Sequence, residues 1–69
     1  MSRLKLLGKN IKKYREVKGF SQEKLAEAVD LSREYIARVE TGVKRISLKK
    51  LFEIVDVLEI KCSDLIDFE

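Results

Sequence analysis

The chain has 69 residues, which suffice for one small folded domain and leave no room for a second unit with its own core. It lacks histidine, the commonest general base and metal ligand, and its one cysteine, Cys62, indicates a reducing, intracellular setting. The net charge is +3, and no apolar run approaches the roughly 20 residues of a membrane span. We therefore expect one cytoplasmic domain, residues 1–69, that works through its surface without a catalytic site, metal or cofactor.

Helical periodicity starts close to the N-terminus. Apolar residues recur every three or four positions, which predicts an amphipathic helix from about Arg3 to Lys18 that ends at Gly19. The residues of this apolar stripe are Leu4, Leu7, Ile11 and Tyr14.

A single helix-start pattern then occurs three times. Each time a serine at the N-cap follows an apolar residue, and a second apolar residue five positions after the first completes a hydrophobic staple. The three sets are Phe20, Ser21 and Leu25; Leu31, Ser32 and Ile36; and Ile46, Ser47 and Leu51. They predict helices over about 22–29, from 33 to just before Gly42, and from 48 to about 59.

The connections and the C-terminal end complete the local prediction. Asp30 adopts a left-handed conformation more readily than most residues other than glycine, so we expect it in the turn after the second helix. A last short helix or turn covers Cys62 to Ile66, with Lys61 or Ser63 as its cap. The buried stripe of the fourth helix is predicted to comprise Leu48, Leu51, Val55 and Leu58.

These elements predict an all-α fold, because no segment alternates with period two for long enough to form a strand. The fold is a compact bundle of four to five short helices. Only Asp30 to Ser32 separate the second helix from the third, so the two must cross steeply as a central helix-turn-helix. Ala26 supplies a small residue at that crossing, and apolar side chains fill the angle: Leu25, Val29, Leu31, Ile36 and Val39.

The charges divide the chain into two parts. Residues 1–50 contain 14 Lys and Arg against 6 Asp and Glu, a balance of +8, whereas residues 51–69 contain 1 against 6, a balance of −5. This asymmetry indicates a polyanionic partner for the basic part. Nucleic acid is the first candidate, and an anionic membrane surface is the second.

The helix-turn-helix resembles a known family in two stretches. These are Ser-Gln-Glu-Lys-Leu-Ala at 21–26 and Tyr-Ile-Ala-Arg-Val-Glu-Thr-Gly at 35–42. With the chain from Leu7 to Ile66 they resemble the phage repressor and Cro type, also called the xenobiotic-response-element family. The resemblance implies a lambda-repressor-like fold and a transcriptional regulator that binds double-stranded DNA. The chain departs from the family at Asp30 and Glu59, where glycine is usual, and at Val43, where a basic or polar residue is common. It also departs at Ile46, where proline is frequent, and at Lys61, where serine is typical.

In such a fold the third helix enters the major groove N-terminus first, so the residues after its cap meet base edges. Arg33 suits a bidentate contact with guanine, and Glu34 either accepts from cytosine or repels a phosphate of the wrong sequence. Arg38 is a second base reader or a phosphate clamp, and Tyr35 either touches a thymine methyl or packs over the turn. The predicted base-reading residues are Ser32, Arg33, Glu34, Tyr35 and Arg38.

A second set of residues is expected to hold the DNA backbone. The resemblance places Gln22 on a phosphate, together with the free N–H groups at the start of the second helix. Three residues of the loop after the third helix are expected to contact phosphates without reading sequence: Thr41, Lys44 and Arg45. Arg15 and Glu40 resemble a family pair, and we expect a structural ion pair between the first helix and the end of the third.

One domain covers few base pairs, whereas a symmetric dimer reads two half-sites one DNA turn, about 34 Å, apart. We therefore predict a regulator that binds a (pseudo)palindromic operator as a homodimer, without a small-molecule effector. Apolar residues in the acidic part, about 51–69, are predicted to form its interface. They are Ile54, Val57, Ile60, Leu65, Ile66 and Phe68.

A different class of function stays open, which is a protein-interaction module such as an antitoxin-like or bridging factor. Exposed apolar residues favour that alternative, whereas the cluster of Arg33, Arg38, Lys44 and Arg45 favours DNA. An enzyme is a distant third, because a general base, a metal set and a phosphate-binding glycine loop are all missing.

Overall fold

The computed structural model describes residues 2–67 and contains five α-helices in that range. They are α1 (Arg3–Val17), α2 (Gln22–Ala28), α3 (Arg33–Glu40), α4 (Leu48–Leu58) and α5 (Cys62–Ile66). The all-α prediction is confirmed, and the helices begin where the sequence analysis places them. Within these residues, no helix has both the length and the apolar character that crossing a membrane requires.

Serine side chains cap the first four helices. The hydroxyls of Ser21, Ser32 and Ser47 each accept a hydrogen bond from the backbone N–H three residues later, at 3.0, 3.1 and 3.2 Å. These are the three predicted caps. Ser2 caps α1 in the same way, accepting from the N–H of Lys5 at 3.2 Å. Each cap satisfies one of the N–H groups that the first helical turn leaves unpaired.

Two acidic residues take left-handed conformations where helices end. Asp30, in the turn between α2 and α3, has a φ of 58°, as the sequence predicts. Glu59, after α4, has a φ of 55°. Both residues therefore adopt the left-handed conformation that glycine commonly provides at such turns, and their Cβ atoms introduce some backbone strain. Beyond it, α5 is capped at Lys61, whose N–H donates to the Asp64 carboxylate at 2.9 Å.

The core receives side chains from all five helices. Its buried apolar residues are Ile11, Leu25, Ala26, Val29, Ile36, Val39, Leu51, Ile54, Val55, Leu58 and Leu65. The first members of the three staples pack against its margin: Phe20, Leu31 and Ile46. The residues predicted to fill the α2–α3 crossing thus lie in this core or at its margin.

The structure corrects two predictions for the C-terminal part. Ile54 and Leu65, expected in a dimer interface, are 0% exposed, because so small a domain needs both to complete its own core. Leu65 is held there by α1, where Asn10 Nδ2 donates to its carbonyl oxygen at 2.8 Å. Leu48, expected in the buried stripe of α4, is 68% exposed. At 100° per residue it lies about 70° from the centre of the face that α4 buries.

The backbones of α1 and α3 approach each other closely. A Cβ atom on Gly8 would overlap the carbonyl oxygens of Val39 and Glu40. Gly42, after α3, has a φ of 78°, and a Cβ atom there would overlap Lys5 of α1. Glycine at these two positions allows α1 to lie directly against the C-terminal end of α3.

Replacing Gly8 with alanine is expected to lower the free energy of unfolding by about 1–3 kcal/mol, because the methyl group meets backbone that cannot move aside. Chemical denaturation followed by circular dichroism measures the change. The matched control is Lys12→Ala on the exposed face of α1, with an expected effect within about 0.5 kcal/mol. A Gly8→Ala variant as stable as the wild type would contradict the close approach.

Candidate nucleic-acid interface

The start of α3 presents polar side chains to solvent. Four of the five predicted base-reading residues are exposed: Ser32, Arg33 and Glu34 at this start, and Arg38 in the last turn of the helix. Ile36 and Val39, on the other side of the helix, are buried in the core. The Ser32 hydroxyl already accepts the N–H of Tyr35 as the helix cap, at 3.1 Å. The side chains best placed to reach a partner are therefore those of Arg33, Glu34 and Arg38.

Tyr35 points toward the loop that follows α3. Its hydroxyl donates to the carbonyl oxygen of Arg45 at 2.8 Å, and the Lys44 ammonium lies 5.7 Å from the ring centroid. The side chain is half-buried against the margin of the core. This geometry matches the packing role among the two that the sequence left open for Tyr35. The residue fastens the loop to α3.

That loop is closed tightly on the end of α3. The N–H groups of Val43 and Lys44 both donate to the carbonyl oxygen of Arg38, at 2.9 and 3.2 Å, and the Thr41 hydroxyl donates to it at 3.1 Å. With Gly42 in a left-handed conformation, the arrangement is a Schellman motif. It leaves the side chains of Thr41, Lys44 and Arg45 exposed beside α3.

A buried ion pair joins α1 to the end of α3, between the two residues that the sequence analysis paired. Arg15 Nε donates to Glu40 Oε2 at 2.6 Å, and Arg15 Nη2 donates to Glu40 Oε1 at 3.1 Å. Arg15 Nη1 also donates to the carbonyl oxygen of Phe20 at 2.8 Å. The hydrogen bond to Glu40 raises the pKa of Arg15, against the opposing effect of burial. The guanidinium therefore keeps its charge at any physiological pH.

Gln22 links this ion pair to Arg33. Gln22 Nε2 donates to Glu40 Oε1 at 3.0 Å, and Gln22 Oε1 accepts from Arg33 Nη1 at 3.3 Å. The sequence predicts a phosphate contact for Gln22 and a base contact for Arg33, and the structure joins the two side chains by a hydrogen bond. Beside them lies an open hollow of about 570 Å³, lined by Arg15, Ser21, Gln22, Glu23, Lys24 and Arg33.

Lys50 has a role that no sequence motif indicates. Its ammonium donates to the carbonyl oxygen of Val29 at 2.6 Å and pairs with Glu53 at 3.1 Å. Val29 is the last residue before the α2–α3 turn, so Lys50 supplies a cation where the dipole of α2 favours one. A basic residue on α4 thereby stabilises the turn.

Among residues 2–67, no group of three or more His, Cys, Asp or Glu is placed to bind a metal ion.

A family model described as helix-turn-helix matches residues 11–65, which is most of the chain. The chain belongs to this helix-turn-helix family. The resemblance drawn from the stretches 21–26 and 35–42 is thereby confirmed.

Individual relatives are similar over most of their length. The control protein C.BamHI of Bacillus amyloliquefaciens is 39% identical over 64 residues, which are 91% of this chain and 79% of that protein. The restriction-modification controller protein C.AhdI of Aeromonas hydrophila superposes with a TM-score of 0.85 at 34% identity, over 90% of each chain. SinR, a master regulator for biofilm formation solved in complex with DNA, gives 0.79 at 30% identity, over 86% of this chain and 95% of that one. These similarities confirm the lambda-repressor-like fold.

The buried ion pair yields a stability prediction. Glu40→Ala is expected to lower the free energy of unfolding by about 3–5 kcal/mol, because it leaves the buried Arg15 guanidinium without its partner. The double variant Arg15→Met/Glu40→Leu leaves no buried charge and is expected to be more stable than Glu40→Ala. Urea denaturation compares the variants. A double variant no more stable than the single one would show that the uncompensated charge is not the source of the loss.

Proposed function

We propose that this protein is a sequence-specific regulator of transcription that binds double-stranded DNA with α3 in the major groove. The observation that carries the proposal is the exposed surface formed by α3 and the loop after it. Four cationic side chains lie on that surface: Arg33, Arg38, Lys44 and Arg45. Family membership supports the proposal, as do the names of the controller proteins and the DNA complex of SinR.

The contacts divide into two kinds. Base reading falls to Arg33, with a bidentate contact to guanine, and to Glu34 and Arg38 on the same exposed side of α3. Exposure of Arg33 and Glu34 at the N-terminal end of the helix supports their assignment, because that end enters the groove. Phosphate contacts fall to Gln22 at the start of α2 and to three loop residues: Thr41, Lys44 and Arg45. The hydrogen bond from Tyr35 fixes the backbone of this loop relative to α3.

We further propose that two copies bind a (pseudo)palindromic operator. Without Ile54 and Leu65, the predicted interface retains Val57, Ile60 and Ile66, while Phe68 lies outside the described residues. Ile66 is 51% exposed, and Phe52 on α4, which the sequence analysis did not include, is 50% exposed. The acidic surroundings of this part repel DNA and leave the apolar side chains for a second copy. The relatives come from bacteria, which supports a prokaryotic cytoplasm as the place of action.

The alternative is a protein-interaction module, and the exposed apolar side chains of Val43 and Leu48 favour it. Selection of bound sequences from random duplex DNA separates the two functions. Enrichment of a palindrome supports the operator-binding regulator. Failure to enrich any sequence would favour the protein-interaction module.

One arginine variant and one lysine variant distinguish base reading from phosphate binding. Arg33→Ala is expected to weaken binding to the selected site by roughly 1–3 kcal/mol and to relax its specificity. Lys44→Ala is expected to weaken binding to all sequences alike and to reduce the salt slope by about one unit. Fluorescence anisotropy titrations at several salt concentrations measure both. If neither variant changed the affinity, the groove-reading proposal would be wrong.

A charged residue at the exposed apolar surface tests the dimer. Ile66→Asp is expected to shift the sedimentation coefficient toward that of a monomer, because the carboxylate loses its hydration when two copies associate. Val17→Asp is the matched control, since Val17 is 70% exposed on α1, outside the acidic part. If the sedimentation coefficient of the Ile66→Asp variant stayed that of the wild type, this interface would be rejected.

A further inference from the structure

The turn between α2 and α3 places a residue other than glycine in a left-handed conformation, and a lysine of α4 binds the carbonyl group beside it. Asp30 has a φ of 58°, and the Lys50 ammonium donates to the carbonyl oxygen of Val29 at 2.6 Å. That carbonyl and the nitrogen of Asp30 belong to one peptide group. We propose that Lys50 is a positioning residue for DNA recognition, which holds the left-handed turn at Asp30 and so fixes α3 relative to α2. This inference rests on the proposed function.

Asp30 carries backbone strain that glycine would not have. In the left-handed region the Cβ atom lies too close to the following carbonyl oxygen, and an aspartate offsets this strain only when its side chain hydrogen-bonds nearby. The Asp30 carboxylate is exposed, and within residues 2–67 it has no hydrogen bond or ion pair. The strain favours other values of φ, so the turn depends on contacts with the rest of the protein.

The hydrogen bonds of the turn leave one carbonyl group for Lys50. The N–H of Leu31 donates to the carbonyl oxygen of Ala26 at 2.8 Å. The N–H of Asp30 donates to the carbonyl oxygen of Glu27 at 3.2 Å. Together they form a Schellman motif, which requires the left-handed residue between them. The carbonyl of Val29 takes no part in this motif and accepts from the lysine instead. The peptide group before Asp30 therefore cannot rotate without breaking a charge-assisted hydrogen bond.

Lys50 is itself held by a rigid part of the protein. Glu53, one turn further along α4, pairs with the Lys50 ammonium at 3.1 Å, and both side chains are partly buried. Ile54 and Leu58 fix α4 in the core, and α4 packs against the helix-turn-helix mainly through α2. The ammonium therefore has a defined position relative to the end of α2.

The turn determines how the two DNA-contacting helix starts lie relative to each other. The proposed phosphate contact of Gln22 lies at the start of α2, and the proposed base contact of Arg33 lies at the start of α3. Only Asp30 to Ser32 separate the two helices, so a change of φ at Asp30 would rotate α3 as a body. The affinity for an operator then falls in proportion to the fraction of molecules that keep the left-handed turn.

The variant Lys50→Met tests the inference, because methionine has a similar length but no charge. The first readout is amide hydrogen exchange of Leu31, whose N–H is bonded only while the turn is closed. Its rate is measured relative to that of Ile11, which is buried in α1 and exchanges on global unfolding. This ratio is expected to rise about tenfold, the range of one hydrogen bond from a charged group. The second readout is the affinity for the selected operator, which is expected to fall about three- to tenfold.

The same substitution in an Asp30→Gly background separates positioning from stability. Glycine adopts the left-handed conformation without strain, so the turn stays closed when the lysine is removed. In this background, Lys50→Met is expected to change the exchange ratio and the operator affinity by less than about threefold. Equal effects in the two backgrounds would show that Lys50 contributes only to stability, and would overturn the inference.

Glu59→Gly is the matched control for introducing a glycine. Glu59 is also left-handed, with a φ of 55°, but it follows the C-terminal end of α4, whereas Lys50 lies near its start. Lys50→Met is expected to have its full effects in the Glu59→Gly background. If Glu59→Gly suppressed them as Asp30→Gly does, the suppression would not come from the α2–α3 turn, and the proposed role would be wrong.

The two readouts also distinguish this inference from the proposed function. Hydrogen exchange needs no DNA, so it decides whether Lys50 holds the turn even if selection enriches no sequence and the proposed function is rejected. An unchanged Leu31 ratio in Lys50→Met overturns the inference whatever the protein binds. A raised ratio with an unchanged operator affinity overturns it as well, because recognition would then not depend on the turn.

Discussion

The Glu40 carboxylate is the point at which three helices are fixed relative to one another. It lies at the end of α3 and accepts hydrogen bonds from Arg15 on α1 and from Gln22 on α2. A buried carboxylate is tolerated only when donors satisfy it, so the three helices must meet in one arrangement. Apolar packing alone accepts small changes of register, whereas these hydrogen bonds do not. The ion pair therefore acts more through geometry than through net stability.

Gly8 makes this ion pair possible. Its missing side chain lets the α1 backbone lie directly against the end of α3. Arg15 follows seven residues later, about two helical turns, and so faces α3 from the same side of α1. Its guanidinium then reaches Glu40 with both carboxylate oxygens paired. A larger residue at position 8 would push α1 away and separate the charges, so the glycine and the ion pair form one structural unit.

Local sequence signals predict the secondary structure, whereas tertiary packing determines which apolar residues are buried. A serine cap or an aspartate in a left-handed turn depends on residues within about five positions, which the sequence displays directly. Burial on α4 depends on where the other helices lie, and α2 is among those that pack against it. The sequence predicts Leu48 in the buried stripe and Ile54 in a dimer interface, whereas the structure exposes Leu48 and buries Ile54. An apolar residue such as Leu65 suits a dimer interface as well as a core. Only the packing of α5 on α1 places it in the core.

In the candidate site, the sequence likewise indicates which residues take part, but the contacts between them become clear only from the structure. The sequence supplies the exposed arginines, the polar residue at the start of α2 and the paired Arg15 and Glu40. It does not show that Gln22 reaches both Glu40 and Arg33, because those partners lie 18 and 11 positions away. The net charge of residues 1–50 also counts every cation equally, whether it faces solvent or an internal partner. The structure commits Arg15 and Lys50 to internal partners, so fewer cations are available to a polyanion than the 14 that residues 1–50 contain. Under the proposed function, the attraction for DNA comes mainly from the four exposed cations of α3 and its loop, and not from every cation in residues 1–50.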